Sequence, residues 1–297
     1  MKRTTLLVTG AGGMVGSYAI SVFGDFNLTL TDVTGGYFYL TIEDRISVEK
    51  LIDDIRPDFV LHLAAATDVD KCEIEQGWAS RVNREGARNV ALACKKYNSA
   101  MIYVSTGAVF DGEKKNLYIE TDKASPLNKY GISKYEGEIA VRSLLEKYYI
   151  VRASWMIGGG RNDKKFVGKI MQKIMSGENP IKAVNDKFGS ITYARDLLTG
   201  IRELIKTGKF GTYHMSNEGM CSRYDIAKEI VNILGKNDVS VIPVSSDEFP
   251  LPAPRGHTEA LENHNLKLMN LNLMQPWKDA LKEYIKDELL PLYQPET

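Results

Sequence analysis

The run Thr5-Leu6-Leu7-Val8-Thr9 leads directly into Gly10-Ala11-Gly12-Gly13-Met14-Val15-Gly16, and a helical pattern follows through Phe23. No other stretch narrows the choice of fold as far. The apolar, β-branched run reads as a buried first strand. Glycines at 10, 13 and 16 leave room for a tight turn, for close approach of backbone to a bound group, and for close helix–strand packing. A helix starting there would offer free N–H groups and partial positive charge, which suits an anion such as a pyrophosphate. The plainer reading is a glycine turn with no ligand; the strand before it and the helix after it favour the dinucleotide reading.

The rest of the first half keeps that rhythm. Apolar runs recur at 28–32, 59–63, 101–104 and 148–151, with helical patterns at about 14–23, 47–55, 79–97 and 129–147. Strands alternating with helices of this length predict an α/β fold with a doubly wound parallel sheet. The pattern breaks after residue 153. Trp155 to Asp163 is glycine-rich, Lys165 to Ser176 carries Phe166, Ile170 and Ile174 on one helical stripe, and Gly211 to Met215 reads as a further strand. Phe249-Pro250-Leu251-Pro252-Ala253-Pro254-Arg255 is too proline-rich for helix or central strand. The expected division is a dinucleotide-binding domain over 1–153, rejoined by 190–215, and a smaller mixed lobe over 154–189 and 216–297. That lobe would cap the carboxyl ends of the strands, where ligands bind in open α/β sheets.

Composition excludes several classes. The 297 residues are 43% hydrophobic and 26% charged, ordinary for a globular protein with a sizeable core. Lys plus Arg and Asp plus Glu number 38 each, which gives no sign of a nucleic-acid surface. No apolar run approaches the ~18 residues of a membrane span. Cys72, Cys94 and Cys221 form neither a CxxC motif nor a Cys/His cluster, so they read as reduced thiols of a cytoplasmic protein, with no metal site assigned.

Three features carry chemistry. Asp32 ends the second strand about 20 residues past the first glycine, where a carboxylate would accept hydrogen bonds from an adenosine ribose. Its charge would repel a 2′-phosphate and so leans toward NADH over NADPH. A Ser105-Thr106 pair ends a strand, where a hydroxyl can meet a substrate oxygen or simply cap a turn. Tyr130 and Lys134, four apart, share a helix face about 5–6 Å apart at Cβ. An ammonium beside a phenol favours the phenolate, so the tyrosine pKa is expected to fall from about 10 toward the working pH. A phenol tuned that way exchanges a proton with a carbonyl or alcohol.

Taken together, these segments resemble the extended short-chain dehydrogenase/reductases, and within them the dTDP-4-dehydrorhamnose reductase family. The likeness runs along nearly the whole chain. It rests on the turn at 10–16, Ala64 to Lys71, the Ser-Thr…Val-Phe-Asp-Gly segment at 105–112, Pro126 to Gly131, Ala153-Ser154-Trp155, Val184 to Gly189, and Tyr213 to Asn217. The resemblance implies reduction of the 4-keto group of a nucleotide-linked 6-deoxyhexose with NADH or NADPH. It gives Thr106 the hold on the C4 oxygen, Tyr130 the proton, and Lys134 the tuning of the tyrosine and a bond to the nicotinamide ribose. Cofactor contacts would come from Gly10, Gly13, Met14, Val15, Gly16, Asp32, Leu40, Ala64, Ala65, Ala66, Tyr130 and Lys134. Substrate contacts would come from Val69, Thr106, Val109, Phe110, Trp155, Phe188 and Arg255. The partner is then a nucleotide sugar, with room for a homodimer and none for nucleic acid or membrane.

The chain departs from that family's usual pattern in four places. Gly107 and Ala108 stand where an acid and a tyrosine usually follow Ser-Thr. Tyr39-Leu40-Thr41 replaces an Asp before Leu-Thr. An Arg-Pro-x-x-Ser signature appears only as Pro254-Arg255-Gly256-His257-Thr258, and Gly158-Gly159-Gly160 loosens the loop after Trp155. The first and third changes touch the substrate side and leave the sugar and the nucleotide base open. A nucleotide-sugar epimerase and a non-catalytic NAD(P)-binding regulatory subunit are the competing readings. A 4,6-dehydratase is disfavoured, because Gly107 and Ala108 carry no groups for its proton transfers.

Overall fold

The computed structural model describes residues 3–293. Seven strands form one parallel sheet: β1 (Thr5–Thr9), β2 (Asn27–Asp32), β3 (Phe38–Tyr39), β4 (Phe59–His62), β5 (Ala100–Thr106), β6 (Tyr148–Ala153) and β7 (Gly211–His214). Their order is β7-β6-β5-β4-β1-β2-β3. The strand order reverses between β1 and β4, which leaves a crevice at their carboxyl ends. Thr9 there pairs with Thr31 on one side and His62 on the other.

Alternate side chains of each strand enter separate cores. Leu6, Val8, Leu61, Ile102 and Val151 pack with the helices Ala19–Phe23 and Ala194–Lys206 on one face. Leu7, Val60, Met101, Tyr103 and Ile150 pack with Arg45–Ile55, Ala87–Tyr97 and Lys129–Leu144 on the other. Strands covered on both faces are why these runs read as continuously apolar.

Two sequence expectations change. The helix foreseen over 14–23 is a 3₁₀ turn at Gly16–Tyr18 followed by only Ala19–Phe23. Gly13, Gly16 and Ser17 are weak helix formers, and the Ser17 hydroxyl donates to the Met14 carbonyl instead (2.8 Å). The helix foreseen over 79–97 contains a π-helical stretch, Ser80–Gly86, before Ala87–Tyr97. Such bulges re-aim a side chain, here Asn83, which is buried.

Beyond β6, three small sheets form. Met156–Ile157 pairs with Thr192–Tyr193, and Ile181–Val184 with Val241–Val244. Phe188–Gly189 lies between Cys221–Ser222 and Thr258–Glu259. The helices Phe166–Met175 and Arg223–Leu234 pack with these strands. Among the described residues no helix is long and apolar enough to cross a membrane.

Candidate active site

A cleft of about 670 Å³ opens at the carboxyl ends of β1, β2, β4, β5 and β6. One end is made almost wholly of backbone and small side chains. Gly10, with φ +75, brings the turn against the exit of the neighbouring strand β4; a Cβ there would sit 2.5 Å from the Ala64 nitrogen. The turn is held by Gly13 N–H donating to Gly10 O (3.2 Å) and Ala11 N–H to Thr31 O (3.0 Å). The N–H groups of Met14 and Val15 make no hydrogen bond among the described residues. Both residues line the cleft with Gly10, Gly13, Gly16, Asp32, Leu40, Ala64 and Ala65. Unspent backbone donors in a glycine cradle fit a dinucleotide pyrophosphate.

Asp32 is partly spent within the chain. It accepts from the Gly12 N–H (2.9 Å) and from the N–H and hydroxyl of Thr34 (2.9 Å each). These bonds fix the carboxylate at the cleft edge, where two ribose hydroxyls could still reach it.

At the centre, Thr106, Tyr130 and Lys134 meet on the cleft wall. Asn128 caps the helix Lys129–Leu144 by accepting the Gly131 N–H (2.8 Å). Farther along, buried Glu138 accepts Arg152 Nε (2.9 Å) and Nη2 (2.8 Å) and the Ser105 hydroxyl (2.6 Å), which clamps the helix to β5 and β6. The Asn83 amide ties the Ala66 backbone to the Ser133 hydroxyl, so the β4 exit and the Tyr130 helix keep one spacing. Sequence reading missed Asn83. Only its place in a helical pattern otherwise facing the core, with a polar side chain among apolar ones, could have marked it.

Electrostatics correct one expectation. The Tyr130 phenol is pushed up to about 12, not down. Burial is the main cause; the Glu259 charge adds to it, and the Thr106 hydroxyl opposes it. Lys134, whose Nζ donates to the Val104 carbonyl (2.8 Å) and lies over the Tyr103 ring (4.2 Å), is not among the groups that move it. Burial also lowers Lys134 itself to about 7. Proximity on one helix face does not decide a pKa when desolvation is larger.

The other end is built from side chains. Val69, Trp78, Trp155, Lys165, Phe166, Arg223, Arg255 and Glu259 line it. The Trp155 indole rests on Gly189, where a Cβ would lie 2.4 Å from the ring. Arg255 is held by Asp70 (Nη2 to Oδ1, 3.1 Å) and by the Ala253 carbonyl (Nη1, 2.7 Å), and Asp70 also accepts the Ala253 N–H (3.1 Å).

Four of the expected residues lie outside this wall. Val109 and Phe110 are buried with Tyr118 and Leu261, and Phe110 stacks on Tyr118 at 4.2 Å. The cause is local: the Thr106 hydroxyl oxygen accepts the Ala108 N–H (3.1 Å), starting a 3₁₀ turn that swings 109 and 110 into the core. Ala66 is buried with its N–H and carbonyl held by Asn83. Phe188 packs edge-on against His257 in the small sheet. Conversely, Lys165, Phe166, Arg223 and Glu259 line the cleft without any motif having singled them out for it.

Comparison with known proteins gives the family. The family profile described as the RmlD substrate binding domain matches residues 4–290. A dTDP-4-dehydrorhamnose reductase of Mycobacterium tuberculosis is 34% identical over 94% of this chain and 92% of its own. The crystal structure of the Clostridium acetobutylicum enzyme of that name superimposes with a TM-score of 0.88 at 36% identity, over 95% of this chain and 99% of its own. One from Bacillus anthracis, solved in complex with NADP, gives 0.89 at 35% identity, over 97% of this chain and all of its own. The glycine cradle, the Thr106–Tyr130–Lys134 cluster and the match over 4–290 make one case: this chain belongs to the dTDP-4-dehydrorhamnose reductase family of the extended short-chain dehydrogenase/reductases.

Proposed function

We propose that this chain reduces the 4-keto group of a dTDP-linked 6-deoxyhexose, dTDP-4-dehydrorhamnose before others, using NADPH or NADH in the cytoplasm. The observation that carries this reading is the single cleft shared by the glycine turn and the Thr106–Tyr130–Lys134 cluster. The N–H groups of Met14 and Val15 and the bare backbone of Gly10, Gly13 and Gly16 would hold the cofactor's diphosphate. Asp32 would take the adenosine ribose, with Leu40, Ala64 and Ala65 as the flat walls beside it. The bound nicotinamide supplies hydride to the sugar carbonyl carbon.

The chain's own groups handle the oxygen. The Thr106 hydroxyl accepts a backbone N–H and lies beside the Tyr130 phenol, and with the sugar bound its proton would turn to the C4 oxygen. Tyr130, kept protonated by burial, gives its proton to that oxygen as negative charge develops there. Reduction needs a phenol and not a phenolate at neutral pH, a condition burial meets while making the phenol a weaker acid. Lys134 sits one turn away and would hold the nicotinamide ribose. Residues 154–189 and 216–297 form the substrate-binding part in this reading, with Arg255 for the nucleotide diphosphate and Trp155 against the hexose.

The test is turnover of dTDP-4-dehydrorhamnose with NADPH and with NADH, and the reverse oxidation of dTDP-L-rhamnose. The expected result is reduction with either cofactor, with NADH used at least as well because Asp32 repels a 2′-phosphate. No turnover in either direction, with dinucleotide binding retained, would favour a non-catalytic binding subunit.

A further inference from the structure

The small sheet around Phe188–Gly189 does something that neither the turn nor the catalytic helix accounts for. Gly189 pairs with Cys221 on one side and Glu259 on the other. The strand Cys221–Ser222 runs directly into Arg223. Two charged residues 36 positions apart in sequence are thereby delivered to the part of the cleft where Trp155 rests on Gly189. The Arg223 guanidinium packs on the Trp155 ring at 3.8 Å and near the Phe166 ring at 4.9 Å. Stacking orients it while leaving its N–H groups unspent: among the described residues it makes no hydrogen bond and no ion pair.

Glu259 is likewise unspent. Its charge is felt by Arg223 and Arg255, yet its carboxylate comes within ion-pair distance (4.0 Å) of neither. Burial raises its pKa, and Arg223 and then Arg255 pull it back. Its position is tied to the reacting end of the cleft. The Glu259 carbonyl presses so close to Gly107 that a Cβ there would sit 2.9 Å away, and Gly107 directly follows Thr106. Ser154 lines the same region, and its buried hydroxyl has no hydrogen-bond partner. A donor, an acceptor and an orphaned hydroxyl thus surround the space beside the proposed proton donor.

We propose that Arg223 and Glu259 form a paired donor–acceptor subsite that holds ring hydroxyls of the hexose and so determines which keto sugar the cleft accepts. This rests on the nucleotide-sugar reductase reading above. A sugar hydroxyl both donates and accepts, so it satisfies a carboxylate and a guanidinium at once. A diphosphate only accepts, and Glu259 would repel it; Arg255, anchored by Asp70, is left for that task. Charge-assisted hydrogen bonds of this kind discriminate strongly, because a ligand lacking the hydroxyl leaves buried charges unpaired.

The test compares the binding of dTDP-L-rhamnose with that of dTDP, by titration calorimetry, in wild type, Glu259→Gln and Arg223→Lys. Wild type should bind the sugar conjugate more tightly than dTDP. Both variants should lose about tenfold or more of that difference, the scale of one charged hydrogen bond, while their affinity for dTDP stays within about threefold. The kcat/KM for dTDP-4-dehydrorhamnose should fall in parallel. Glu259→Gln keeps the shape of the side chain, so retained thermal stability separates a lost contact from a damaged fold. An undiminished sugar contribution in both variants overturns the proposal and leaves the reductase reading standing. An equal loss for dTDP and its rhamnoside also overturns it, since the pair would then serve the diphosphate. A wild type that binds dTDP but neither binds nor turns over the hexose conjugates overturns both readings.

Discussion

The two ends of the cleft are made of different materials. The glycine end uses backbone: the turns after the neighbouring strands β1, β2 and β4 supply N–H groups, bare Cα atoms and one carboxylate within 65 residues of the N-terminus. The far end uses side chains from Val69 to Glu259, carried by loops, short helices, helix first turns and one short strand. A backbone site is rigid because the sheet is rigid, and it tolerates few substitutions at its glycines. A side-chain site depends on long-range packing and can change its specificity by single substitutions. That difference explains how one redox core can serve several sugars.

The largest expected effect lies where the two ends meet. Tyr130→Phe should lower kcat by about 10²–10⁴-fold, the usual worth of a general acid, while the dinucleotide Kd barely moves. Steady-state kinetics beside a dinucleotide titration would show it. Near-wild-type turnover would move the acid to another group and end the Tyr130 assignment.

Next comes the glycine end. Gly10→Ala puts a Cβ 2.5 Å from the Ala64 nitrogen at φ +75, so overpacking and backbone strain together should destabilise the protein by about 3 kcal/mol. Thermal melts should show a loss of ~5 °C or more together with weakened dinucleotide binding. A melt like that of wild type would mean the two turns can separate, and the contrast in rigidity drawn above would fail.

The substrate end should respond in KM and not in stability. Arg255→Ala should raise KM for the nucleotide sugar by the equivalent of about 1.5–3 kcal/mol, a lost charged hydrogen bond. Arg255→Lys should recover part of it, because a lysine cannot fork across two phosphate oxygens. Asp70→Asn should give a smaller rise, since it only loosens the tether on Arg255. Cofactor affinity should stay constant in all three.

The most gradual effect, spread over several pH units, concerns Lys134. Burial lowers it to about 7, whereas an unfolded lysine titrates near 10.4. Between those values the unfolded chain holds a proton that the folded chain has released, so stability should rise with pH across this window. Below about 7 both states are protonated and the contribution is flat. The slope is at most about 1.4 kcal/mol per pH unit. Urea unfolding of wild type and Lys134→Met at several pH values isolates it; an identical pH dependence would show that Lys134 keeps its charge.

Much of the sheet and of the glycine end of the cleft was legible because those features are local. A strand, a glycine turn and a helix are contiguous, and Tyr130 and Lys134 are one helical turn apart. The failures were also physical. The edge strand Phe38–Tyr39 has only two residues and both are exposed, so no burial pattern announces it. Val109 and Phe110 read as cleft residues until a turn capped by Thr106 rotated them inward. Arg223 and Glu259 carry no motif; their meaning comes from a register in which Gly189 pairs with the strand leading into Arg223 and with the strand that holds Glu259.

The sequence by itself determined the doubly wound sheet, the glycine cradle and the presence of a tyrosine–lysine pair, since each depends on spacing within one strand or helix. Only the tertiary structure decided the sign of the Tyr130 shift, because desolvation depends on everything packed around the phenol. It also decided which charges face the cleft, because hydrogen-bonded registers between short strands bring together residues that chain distance alone does not relate.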